Sequence, residues 1–139
     1  MTDSYQIRPF QRSDTPAVIE LWKRCHLTVP WNDPQSDIEM KLKVQPELFF
    51  VGTLSGRVVA SAMAGYDGHR GWVYYLAVTP DCRKRGFGRK IMDAVEQALG
   101  SLGCRKINLQ VRHTNRSVIQ FYQRLGFSDD QVMGLGKRI

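Results

Sequence analysis

The chain lacks the marks of an exported or membrane protein. It begins Met1-Thr2-Asp3-Ser4-Tyr5-Gln6, with no basic segment leading into an apolar core, and no run approaches the roughly 20 apolar residues of a membrane span. A cytoplasmic location with no membrane partner is the expectation. Cysteine is scarce: Cys25, Cys82 and Cys104 are odd in number, far apart, and free of C-x-x-C or Cys/His ligand spacing. That excludes a disulfide framework and predicts no metal site. Repeats and low-complexity segments are absent, as are RNP-type, helix-turn-helix and finger signatures.

What remains is 139 residues, 42% of them hydrophobic, which suits one compact domain over residues 5–139 with a real core. Lys and Arg total 20 against 13 Asp and Glu, a net charge of +7. Such an excess points to an anionic partner: nucleic acid, an acidic protein or a phosphorylated cofactor.

Residues 5–9 read as a first strand. Ser13-Asp14 before Thr15-Pro16 reads as a helix cap with proline in the first turn, after which Val18, Leu21, Trp22 and Cys25 recur at helical spacing. A two-proline connection, Val29-Pro30-Trp31-Asn32-Asp33-Pro34, leads to a second short helix marked by Ile38, Leu42 and Val44 and ended before Pro46. Two apolar runs, 48–54 and 58–64, flank Ser55-Gly56-Arg57 as a hairpin. Trp72-Val73-Tyr74-Tyr75-Leu76-Ala77-Val78 is continuously apolar, as strands covered on both faces are. Ile91, Met92, Val95, Leu99 and Leu102 trace one helical face closed by Gly103, and 106–111 alternates as a strand. Asn115 is placed to cap a last helix that Gly126 ends, and 127–139 leaves room for one more strand. The class is α/β, with a mixed, mostly antiparallel sheet, one right-handed βαβ crossover and about four helices.

Chemistry concentrates in Thr79-Pro80-Asp81-Cys82-Arg83-Lys84-Arg85-Gly86-Phe87-Gly88-Arg89-Lys90, with five cations and two glycines, opening directly into a helix. Glycines let several N–H groups converge on one concavity and the helix dipole adds positive potential, which together suit a pyrophosphate. Neither familiar phosphate loop fits. The Walker spacing is absent, the dinucleotide form would want a third glycine where Ile91 stands, and seven residues separate Val78 from Gly86. Cys82 borders this loop without a His/Asn constellation and reads as an ordinary loop cysteine.

The order strand, Pro80, Arg83-x-x-Gly86-x-Gly88, amphipathic helix resembles the acetyl-CoA loop of the GNAT superfamily of N-acetyltransferases. Asn115-x6-Tyr122-x3-Gly126-Phe127 is similar to the helix that follows in that family. The Trp31-Asn32-Asp33-Pro34 and Tyr66-Asp67-Gly68-His69-Arg70-Gly71 segments resemble the bacterial YpeA-type members. The resemblance covers essentially the whole chain. It implies a GNAT fold with a splayed parallel pair, strands 72–78 and 106–111, between which pantetheine lies like another strand. It implies further that the Leu76 N–H polarises the thioester carbonyl, that Val78 bonds pantetheine, and that the backbone of Arg83, Lys84, Arg85, Gly86, Phe87, Gly88 and Arg89 holds the pyrophosphate. Asn115 would contact the cofactor and Tyr122 would protonate the departing thiolate. The implied reaction moves acetyl from acetyl-CoA, as cosubstrate and without a metal, to a small-molecule or protein amine in a ternary complex.

Departures from the family are informative. Some members carry a glutamate where this chain has Trp72, so the base is left among Asp67, His69 and a water chain. Trp31, Asn32 and Asp33 lie in a connection that often covers the acceptor, although Asp33 before Pro34 equally suits a helix cap. The short tail implies either a shallow acceptor site or a homodimer that completes it. Two rival classes remain: a GNAT-fold protein that binds acyl-CoA without turning it over, and a basic nucleic-acid-binding domain.

Overall fold

The computed structural model describes residues 4–139. The chain resolves into two compact units, one reaching to Leu109 and the other Gln110–Ile139.

The first unit is a five-stranded sheet with three helices. Strands β1 (Tyr5–Pro9), β2 (Phe49–Leu54), β3 (Arg57–Tyr66), β4 (Gly71–Val78) and β5 (Ile107–Asn108) lie in sequence order. The first three pairings are antiparallel and β4 with β5 is parallel. Helices α1 (Thr15–Arg24) and α2 (Pro34–Lys41) precede the hairpin, and α3 (Phe87–Ser101) crosses over from β4 to β5.

Each helix is placed by its apolar stripe. Val18, Leu21 and Trp22 of α1 and Ile38 of α2 bury against Phe49, Val51, Met63 and Ala77. Ile91, Met92, Val95 and Leu99 of α3 are also buried, and Phe87 joins Val59 and Cys82 in a separate cluster. The helices cover opposite faces of the sheet. A Cβ on Gly71 would come 2.8 Å from Leu99 of α3, whereas one on Gly65, paired with the next residue Trp72, would face Lys41 and Gln45.

Beyond Met63 the edge of β3 has outrun β2, and side chains take over its backbone groups. Gln45 Nε2 donates to the Tyr66 carbonyl (3.0 Å) while the Tyr66 N–H donates to Gln45 Oε1 (2.8 Å), and Lys41 Nζ donates to the Ala64 carbonyl. Burial of the Lys41 ammonium lowers its pKa.

In the second unit, α4 (Arg116–Arg124) is closed by Gly126 at φ +98°, which lets the chain return so that Phe127 packs edge-on to Tyr122.

Three expectations need correction. The parallel strand expected over 106–111 is only Ile107–Asn108, because beyond Trp72 the β4 edge is not matched to it. Residues 127–139 form neither helix nor strand, and Val132, Met133 and Leu135 are exposed, so no apolar face pins that segment as a strand. Cys82 is a buried core residue at 3% exposure, the apolar wall of its turn, rather than an ordinary loop cysteine.

Candidate acetyl-CoA site

The open edge of β4 is the first element. Its parallel pairing stops after Gly71↔Ile107 and Trp72↔Asn108, and residues 73–78 have no strand neighbour on that side among the described residues. Close approach at the paired end needs glycine at 71, since an added Cβ would meet Leu99 and also Cys104 Sγ at 3.0 Å. Which groups the edge offers follows from the ladder. Thr79 N–H donates to the Val59 carbonyl, flanking the Ala60↔Val78 pair, so Val78 is a non-hydrogen-bonded position whose N–H and C=O point away from β3. The Val78 carbonyl is already engaged, by Arg83 Nε (3.1 Å) and Cys25 Sγ (3.3 Å), which leaves its N–H as the group to offer.

Two residues above Val78 the strand carries a bulge. Met63 faces Tyr74 and Ser61 faces Ala77, so Tyr75 and Leu76 together oppose Ala62. Tyr75 sits at φ +55°, a left-handed conformation that costs a non-glycine residue about 1–2 kcal/mol. Its surroundings offset that cost. The Tyr75 ring stacks on Trp22 at 3.8 Å, its hydroxyl donates to Asp37 Oδ2 at 2.6 Å, and its carbonyl accepts from Ser61 Oγ at 2.8 Å. An aromatic pair contributes about 0.5–1.5 kcal/mol and a hydrogen bond to a charged group about 1.5–3 kcal/mol. Burial, then the Asp37 carboxylate, raises the Tyr75 pKa well beyond the ordinary phenol range, so its proton stays on.

The loop after β4 is the second element. A one-turn 3-10 helix, Pro80–Cys82, is anchored by Asp81, which takes Thr79 Oγ1 (2.9 Å) and the Arg57 guanidinium (3.0 Å) of the neighbouring hairpin. Lys84 at φ +64° and Gly86 at φ +82° then turn the backbone twice through the left-handed region, and α3 begins at Phe87. The first N–H groups of α3 have no carbonyl one turn back within the helix, and they point out of its N-terminus. A Cβ at Gly86 would meet nothing within 4 Å, so glycine serves the backbone conformation and not a tight fit. Arg83, Lys84, Arg85, Arg89 and Lys90 are exposed around this turn. Arg85 lies over the Phe87 ring at 4.9 Å, and Phe87 stacks on Tyr5 at 4.0 Å, which holds the first turn of α3 against β1. An extended edge that runs into a cationic turn and a helix N-terminus fits a ligand with a strand-like arm and a pyrophosphate.

Asn115 and Tyr122 belong to the second unit. Asn115 stands at the N-cap position of α4, but its exposed side chain makes no capping bond, contrary to the sequence expectation. Tyr122 is only 8% exposed, with Phe121 and Phe127 edge-on to its ring at 5.2 and 5.5 Å, and burial pushes its pKa up to about 12.

The residues expected near an acceptor are occupied structurally. Asp33 Oδ1 accepts the Gln35 N–H and caps α2. Asp67 Oδ1 accepts the N–H groups of His69 and Arg70 across the β3–β4 turn, and those bonds lower its pKa. Trp31, Asn32 and His69 are exposed. Sequence reasoning missed Trp22, Asp37 and Ser61, which surround Tyr75 from three different elements and have no local motif. No cluster of metal ligands occurs among the described residues, and no described helix is long and apolar enough to cross a membrane.

Comparison with known proteins bears on the family and the fold. The chain is 49% identical over 134 residues to an acetyltransferase of Yersinia enterocolitica, covering 96% of this chain and 95% of that protein. It is 50% identical over 135 residues to an acetyltransferase of Sodalis glossinidius, with the same coverage. Among solved structures, the ribosomal-protein-S18-alanine N-acetyltransferase of Escherichia coli superposes with a TM-score of 0.78 at 25% identity, over 92% of this chain and 80% of that one. The aminoglycoside acetyltransferase AAC(6')-Iy, solved with a CoA-linked bisubstrate analogue, gives 0.81 at 21% identity over 98% and 99%, a likeness of fold. The profile of the Acetyltransferase (GNAT) family matches residues 15–127, and the chain belongs to that family of acyltransferases.

Proposed function

We propose that this protein transfers the acetyl group of acetyl-CoA to a primary amine by direct attack within a ternary complex. The observation that carries the reading is the continuity of the open β4 edge with the cationic turn at the start of α3. In this reading pantetheine runs along residues 73–78 with the Val78 N–H as a donor, and the pyrophosphate sits at the backbone and cations of residues 83–89.

In the reaction the amine nitrogen bonds to the thioester carbon while the carbonyl oxygen gains negative charge. The N–H of Leu76, the second residue of the bulge, is the assigned donor to that oxygen, and one such donor contributes about 3–4 kcal/mol. Collapse breaks the C–S bond and releases the thiolate. By the family resemblance, Tyr122 gives the thiolate its proton. A phenol at about 12 is protonated throughout the physiological range, so it is always in the donating form. Transfer to a thiol whose pKa is about 8.5–9 is uphill by about 3 units, or about 4 kcal/mol, so the proton moves as the C–S bond breaks and not beforehand. The attacking ammonium loses its proton through His69 or a water chain to bulk solvent, whereas the Asp67 carboxylate is tied up accepting the Arg70 and His69 N–H groups, which lower its pKa.

Isothermal calorimetry tests the reading. Acetyl-CoA is expected to bind at micromolar Kd or tighter and to raise Tm by mass action. Failure to bind any acyl-CoA overturns it. Thiol release across a panel of small amines and peptide N-termini then identifies the acceptor class.

A further inference from the structure

The left-handed backbone at Tyr75 is held by an oriented chain of donors. Trp22 of α1, wholly buried, gives its indole N–H to Ser61 Oγ at 2.9 Å. Ser61 of β3, also wholly buried, gives its single hydroxyl proton to the Tyr75 carbonyl at 2.8 Å. Because the indole fills the acceptor side of that hydroxyl, its proton has one direction left. From α2, Asp37 holds the Tyr75 hydroxyl at 2.6 Å, while the Tyr75 ring lies flat on the same indole, 10° from parallel.

An apolar core needs none of these polar groups. Apolar side chains at 22 and 61 would leave no polar group there to satisfy, and a buried hydroxyl or indole N–H that bonds nothing is costly. What the chain controls is a backbone orientation. The Tyr75 carbonyl and the Leu76 N–H belong to one planar trans peptide, in which C=O and N–H point in opposite directions. Pinning the carbonyl on Ser61 therefore aims the Leu76 N–H away from the Ser61 hydroxyl.

We propose that Ser61, Trp22 and Asp37 are positioning residues that aim the Leu76 N–H at the thioester oxygen. The proposal rests on the reading of Leu76 given above and extends it. It also links α2 to the carbonyl donor through a single bond, so that whatever moves the Asp37 carboxylate moves the bulge.

The test uses acetyl-CoA labelled with ¹³C at the thioester carbonyl and needs no acceptor. A donor aimed at the carbonyl oxygen shifts its infrared stretch to lower frequency. The wild type is expected to show that shift, and Ser61→Ala to lose at least half of it while the Kd for acetyl-CoA stays within threefold. Tyr75→Phe keeps the ring stack and drops the Asp37 bond, so it loses a smaller part. Asp37→Asn, whose amide oxygen still accepts from the phenol, recovers most of what Asp37→Ala loses. A full shift in folded Ser61→Ala overturns the clamp alone. Binding without any shift in the wild type overturns the Leu76 assignment and the clamp together. The ligand-free protein gives an independent arm that reads N–H direction: the Leu76 N–H residual dipolar coupling is expected to shift in Ser61→Ala, with that of Val73 unchanged. An unmoved Leu76 coupling overturns the clamp even if acetyl-CoA does not bind.

Discussion

The two edges of β4 carry the same residues and do different work. On one side the strand follows β3 from Gly71↔Tyr66 to Val78↔Ala60, broken once by the bulge at Tyr75. On the other it meets β5 for two residues and then runs on without a strand neighbour among the described residues. Composition does not separate the edges, because one apolar run supplies both. The partners do. β3 is ten residues long, whereas β5 is two. The strand is not covered on both faces as its apolar run suggests, since Tyr74 is 52% exposed; it keeps one edge for the sheet and presents the other as a row of backbone groups.

Proline scanning breaks this comparison most sharply. Ala77 pairs with Ser61 at the position adjacent to the open Val78, so its N–H belongs to the β3 ladder. Ala77→Pro removes a central ladder bond and leaves the Ser61 carbonyl without its donor, and is expected to destabilise by about 2–3 kcal/mol, read by urea denaturation. Stability within about 1 kcal/mol of wild type would mean that the β3 edge is not the structural one.

Removing the Tyr122 hydroxyl separates binding from chemistry. Tyr122→Phe is expected to lower kcat about 100-fold, a typical contribution for a general acid, while calorimetry finds the same Kd for acetyl-CoA. A weakened Kd with unchanged kcat would make the phenol a binding group and put the proton elsewhere.

Moving proline one residue on tests the open edge. Val78→Pro loses an N–H that faces no strand, and Ala77 before it is already extended, so the fold is expected to survive. Acetyl-CoA affinity is expected to fall about tenfold, roughly one hydrogen bond. Full affinity would remove Val78 from the pantetheine path.

The parts of this arrangement that were legible in the sequence are those with local causes. The runs over 5–9 and 72–78 read as strands because their residues suit no other element, and the glycine-bearing cationic turn announces a helix N-terminus by its own composition. The bulge is different. Nothing in Trp72-Val73-Tyr74-Tyr75-Leu76 marks Tyr75 for positive φ, where glycine is the usual occupant, because the conformation is imposed by register with β3 and by contacts from residues 14, 38 and 53 positions away in sequence. The roles of Asp33 and Asp67 were half legible. An aspartate before proline or in a glycine-bearing turn is read equally well as ligand or as cap, and only the hydrogen bonds decide that here their oxygens hold backbone N–H groups. The extent of β5 was illegible for a related reason: alternation over 106–111 states which face each residue would take, not whether a neighbour lies within reach.

The smallest expected effect concerns how the structural edge and the loop are tied together. Asp81, at the start of the loop, bonds Arg57 at the first position of β3, and the Arg57 hydrogen bond, followed by that from Thr79, draws its pKa down from 3.8 to about 2. A carboxylate whose folded pKa lies below its unfolded one stabilises the fold fully above the unfolded value and loses that contribution as pH falls toward the folded one. The window is therefore from about pH 4 down to about pH 2, and exposure to solvent keeps the effect modest. Arg57→Ala is expected to melt slightly below wild type at pH 6, with the gap closing by pH 2, read by thermal melts across that range. Because the pair anchors the loop and not the open edge, the same variant at pH 7 is expected to change acetyl-CoA affinity less than Val78→Pro does. The reverse order would show that the loop's anchorage, more than the free edge of β4, governs how the ligand is held.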